Sequence, residues 1–151
     1  MLFDLIISRL ENALPHAAEI NPKVSKRGVD WHLEHCLKII NAICQTAAES
    51  KPADYKPKFT LTKYYILWTG KIPRGKAPSP KLFNNKETID VSTLPGRLEE
   101  VKVSLTLLSG LNPKQHFRHP FFGDLKLSEA KKFIVIHTSH HLNIIDDILK
   151  C

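Results

Sequence analysis

A chain of 151 residues with 42% hydrophobic and 25% charged side chains is long enough to bury a core as one domain, residues 1–151, and too ordinary in composition for a disordered, fibrous or disulfide-stapled class. Its formal net charge of +7 is regional: residues 51 to 86 carry nine Lys or Arg against Asp54 alone, while the rest has 13 basic and 14 acidic residues. No run approaches the ~18 apolar residues a membrane span needs, so no membrane partner is expected.

The first segment, "MLFDLIISRLENAL", is apolar but broken by Asp4 and Arg9 and lacks a basic n-region, which argues against a signal peptide. Leu2, Leu5, Ile6, Leu10, Ala13 and Leu14 recur at helical spacing and predict a first helix within residues 1 to 20, closed or kinked by Pro15. After the turn residues Asn21 and Pro22, "VDWHLEHCLKIINAICQTAAES" predicts a second helix to about Ser50. Cys36 and Cys44 lie on it roughly 12 Å apart along the axis, too far to bridge. With Cys151 and no CxxC pair, they imply reduced thiols and a cytoplasmic setting.

"KFTLTKYYILWTG" suits a strand or a short helix, and the helix is favoured. "KIPRGKAPSPKLFNNKETIDV" reads as a long, exposed basic loop between the second and third long helices. In it Lys71, Arg74, Lys76 and Lys81 are candidate anion-binding residues. A third helix follows to about Leu111. An aromatic-rich connection, "KQHFRHPFFGDLKL", then leads to a fourth helix with Ser128 as its N-cap. Four long amphipathic helices without hairpin signals make the fold class all-α, a four-helix bundle.

The fourth helix contains "FIVIHTSHHLNIIDDI". At 100° per residue, with His137 at 0°, His141 falls at roughly 40° among Ala130, Phe133, Ile134, Ile144, Ile145 and Ile148, and His140 near −60° at the edge of the face. Burying neutral imidazoles in an apolar seam costs several kcal/mol unless their nitrogens find partners. Backbone or hydroxyl groups can supply these, but an i, i+4 pair is also spaced to converge on one divalent ion. The second helix offers His32 or His35 as a third ligand, and the helical wheel does not choose between them. Imidazole suits zinc, nickel, copper and iron alike.

Other chemistries are excluded or weak. "HTSHH" has Thr138 where a zincin needs its catalytic Glu. Cys36 follows His35 directly, and adjacent helical residues do not face each other. The chain has no Gly-rich phosphate loop, no GxSxG elbow and no strong nucleic-acid motif.

"WHLEHC" on the second helix, with "HPFFGDL" preceding "HTSHHL", resembles the DinB-like superfamily, in its branch with an HP-x-FG-x-L element before H-x-x-H-H. The resemblance covers roughly residues 24 to 50 and 117 to 149. It implies a four-helix bundle holding one divalent metal through His35, His137 and His141; sliding the second-helix motif by one turn would select His32. It also implies a metal-dependent hydrolase or thiol transferase; the basic loop adds a small, anionic substrate as an expectation, and a homodimer is compatible. The alternative is a non-catalytic metal-binding or stress-response module. The chain lacks the Gln that commonly follows the histidine cluster, having Asn143-Ile144-Ile145 there. His119 in the aromatic connection is a further candidate, as a ligand or as an orienting group.

Overall fold

The computed structural model describes residues 2–75 and 88–150; Lys76 and Lys81 fall outside them. Among the described residues the chain is mostly helical, with α1 at Asp4–Ala13, α2 at Val29–Glu49, α3 at Leu61–Thr69, α4 at Leu94–Ser109 and α5 at Leu127–Leu149. Strands β1, His116–His119, and β2, Gly123–Lys126, form a small antiparallel hairpin. None of these helices is long and apolar enough to cross a membrane.

The core lies where α2 packs against α4 and α5, and α1 against α4 and α5. Leu33, Leu37 and Ile40 of α2 meet this core with Leu98, Val101 and Leu105 of α4, Ile134, Leu142 and Ile145 of α5, and Ile6 and Leu10 of α1, all buried. Their 3.6-residue spacing is the pattern that made these segments legible as helices. Arg9 on α1 donates from Nη2 to Asn143 Oδ1 at 2.9 Å and to Asp146 Oδ2 at 2.8 Å, bracing α5 just beyond His141.

The first helix closes at Pro15, as its sequence predicts. Pro15 sits in a 3-10 turn, Leu14–His16, after which the chain folds back. Val29 and Asp30 donate their backbone N–H groups to Glu19 O and Ala17 O at 3.0 Å, fixing the depth at which α2 starts. The helical reading of "KFTLTKYYILWTG" is correct: Thr60 caps α3 by accepting from the Lys63 N–H, and Gly70, at φ 67°, closes it in the left-handed region.

The hairpin is an addition to the predicted all-α scheme. Strands of four residues carry too little alternation to be read, and the burial of β1 and β2 does not alternate cleanly. Gly123 makes the turn feasible: its φ is +68°, and a Cβ there would lie 2.6 Å from Lys58 Cβ. Buried Asp124 then accepts from the Lys56 backbone N–H at 2.7 Å and from Arg118 Nε at 2.9 Å. The guanidinium beside it holds this carboxyl below the usual range. His116 donates its backbone N–H to Ser50 Oγ, anchoring β1 to the end of α2. The hairpin runs straight into α5, whose first turn is set by Glu129 accepting the Lys126 N–H at 2.9 Å, so the helix begins before the predicted Ser128 cap.

Candidate metal centre

His35 on α2 and His137 and His141 on α5 meet with one ring nitrogen each within 4.8 Å of one another. Ring centroids are 4.6 Å apart for His35 and His141, 4.7 Å for His137 and His141, and 5.2 Å for His35 and His137. His35 and His141 are buried, while His137 is only partly covered. His140 and Ile144, at smaller helical angles, are also only partly covered, whereas Ile134 and Ile145 beyond His141 are buried, so His137 sits towards the rim of the face and His141 nearer its centre.

Burial drives the His137 imidazole well below the ordinary histidine range, and the nearby His35 adds to the effect. Burial likewise drives His141 far below that range, with His137 and His35 contributing. Neutral rings retain the lone pairs that metal ligation needs. Nδ1 of His137 is buried and makes no hydrogen bond. Three imidazoles drawn together, those of His137 and His141 held neutral by burial and that of His137 with a buried nitrogen unsatisfied, fit a divalent ion in their donor chemistry.

The α2 histidine that joins the cluster is His35. His32 is occupied otherwise: its Nδ1 lies 2.9 Å from His141 Nδ1 and its Nε2 lies 3.1 Å from Ser25 Oγ. Of the two facing Nδ1 atoms, one carries the proton. If His141 uses Nε2 as a ligand, its Nδ1–H donates to His32 Nδ1 and His32 Nε2–H donates to Ser25 Oγ. Burial holds the His32 pKa at about 4, so the ring stays neutral and able to accept. Ser25 Oγ also accepts from the Arg27 backbone N–H at 3.1 Å, which steadies the end of the chain of bonds. His32→Ala is expected to weaken zinc or nickel binding about 10- to 100-fold while leaving one ion per chain, as loss of an orienting partner does. Unchanged affinity in competitive titration would remove His32 from this role.

His140 packs edge-on to His141 with centroids 5.2 Å apart, outside the group of three. Burial, then Arg74, lowers its pKa. His119 does not join the group either. Its Nδ1 accepts the backbone N–H groups of Phe121 and Phe122 at 3.1 and 3.2 Å, closing the hairpin turn. Its ring stacks on Phe122 at 4.1 Å and meets Phe133 edge-on at 5.0 Å. Since Nδ1 is the acceptor, the neutral ring carries its proton on Nε2, and burial lowers its pKa to about 4.

Of the basic residues proposed for anion binding, Lys71 is exposed. Arg74 pairs with Asp147 of α5 at 2.7 Å, and its charge is felt at both His32 and His140. Two neighbours escaped the sequence reading as parts of the site. Trp31 stacks on His35 at 4.7 Å with planes 9° apart, and Arg27 lies over the same indole at 5.4 Å. The i, i+4 spacing of Trp31 and His35 was a usable signal; nothing in the sequence marks Ser25. Cys36 and Cys44 are buried free thiols, and burial raises both, Cys44 to about 12.

No family model matches the chain, and searches of curated proteins and of solved structures also gave no match.

Proposed function

We propose that the chain is a divalent-metal protein of the DinB-like kind, with α1, α2, α4 and α5 as its four-helix bundle and one zinc, nickel or iron ion held by His35, His137 and His141. The observation that carries this reading is the convergence of three imidazole nitrogens from two helices within 4.8 Å. A three-histidine set leaves coordination positions open, where a divalent ion supplies Lewis-acid activation of water or a thiol. The favoured activity is therefore hydrolysis or thiol transfer on a small substrate in the cytoplasm.

The chain's own residues bear on which substrate fits. Arg74 beside the histidines and the basic character of residues 51 to 86 favour an anion. Cys36 and Cys44 are buried with raised pKa values, so a reacting thiol would come from the substrate. A second reading, a non-catalytic metal or stress-response module, is favoured by one observation: among the described residues no carboxylate belongs to the cluster, leaving no obvious general base.

Element analysis of untagged protein tests the metal, with about one divalent ion per chain expected. Chelation then separates the two readings. Loss of turnover in a chain that keeps its helical signal supports the enzyme, whereas melting without any prior activity supports the module.

A further inference from the structure

Helix α3 is built inside out. At 100° per residue its Leu61, Tyr64, Tyr65 and Trp68 fall within one arc of about 100°. That arc faces solvent: Trp68 is 87% and Leu61 76% exposed, and Phe59, just before the helix, is 72% exposed. Tyr64 and Tyr65 are about half exposed. The inward side carries Ile66 and Leu67 and also Lys63, which is buried and donates from Nζ to Lys58 O at 3.1 Å. A lysine was available for the outer side, yet the aromatic residues occupy it. Contiguous exposed apolar surface of this kind marks an interaction site.

Residues 51 to 75 hold six basic residues against Asp54 alone. Lys56 and Lys58 just before α3 and Lys71 just after it are exposed, while Arg74 is paired with Asp147. We infer that the outer face of α3, with Phe59 and its flanking lysines, docks on an anionic phospholipid surface. Tryptophan, tyrosine and lysine are the residues that favour the bilayer–water boundary, where rings enter the headgroup region and ammonium groups meet phosphate. A second copy of this chain would bring the same positive charge against itself. Lysine is depleted in protein–protein interfaces but concentrated here. A single convex helix offers no groove to track a nucleic-acid strand, and exposed Leu61 has no stacking face. The lack of an apolar span concerns crossing a membrane, not lying on one.

The test uses the full chain with vesicles of phosphatidylcholine alone or with about one third phosphatidylserine, at low and at moderate salt. The protein is expected to sediment with the anionic vesicles only, and less at the higher salt. Trp68→Ala combined with Tyr65→Ala, two exposed positions, should bind at least about tenfold more weakly with the circular dichroism spectrum unchanged. As a measurement on the unmodified chain, lipids brominated in the acyl chains should quench the fluorescence of Trp68, and Trp68→Phe should remove that quenching. Failure to sediment with anionic vesicles, equal binding to neutral ones, or undiminished binding by the double variant overturns the assignment. So does tighter Trp68-dependent binding to a single-stranded oligonucleotide, or a dimer that Trp68→Ala dissociates.

Discussion

Replacing His137 or His141 with Ala is expected to abolish stoichiometric binding of zinc or nickel. A closed zinc site of four ligands is worth about 10 to 16 kcal/mol, or ~2.5 to 4 kcal/mol per ligand, so losing one of three protein ligands weakens binding by roughly 70- to 900-fold. His35→Ala should behave in the same way. His140→Ala is the control: its ring packs against His141 but lies outside the group of three, and binding should survive. Isothermal calorimetry on untagged variants at neutral pH provides the measurement, with helical content checked alongside. Wild-type protein that takes up less than about a tenth of an equivalent would end the metal reading, leaving a histidine cluster packed for structure alone.

The second large effect is acid sensitivity of the metal-free fold. His32 and His119 titrate near 4 in the folded chain against about 6.5 in an unfolded one, so the unfolded state takes up protons first as pH falls. Their contribution is fully present above pH 6.5 and is lost progressively between about 6.5 and 4. Between pH 7 and pH 5 each costs on the order of 2 kcal/mol, and His137, His140 and His141, also lowered by burial, add in the same direction. Urea unfolding with chelator present should show a much lower midpoint at pH 5 than at pH 7, with similar slopes. Equal midpoints would mean that these rings are not held neutral by burial. His119→Gln should flatten part of the dependence, because that position no longer titrates.

The helices were legible in the sequence because Leu33, Leu37 and Ile40, or Ile134, Ile145 and Ile148, repeat one burial pattern over many turns. The hairpin was not, since its stability comes from Asp124, Arg118 and the Lys56 backbone, which meet across 68 residues of chain in one case. At α3 the element was readable but its orientation was not: a periodic pattern does not reveal that Lys63 goes inward and Trp68 outward. The histidine pair on α5 was visible from its spacing. His32 and His35 are both buried, so burial does not separate them; the hydrogen bonds of both His32 ring nitrogens, to Ser25 and His141, do.

His35 and His137 come together only through tertiary packing, with about a hundred residues between them in the chain. During synthesis the α2 imidazole leaves the ribosome roughly 5 to 20 s before its α5 partners, at ordinary elongation rates. The group of three nitrogens therefore forms only when α5 docks, when the braces from Arg9 to Asn143 and Asp146 also close, so on the proposed metal reading an ion is taken up by packed helices and not by an open chain.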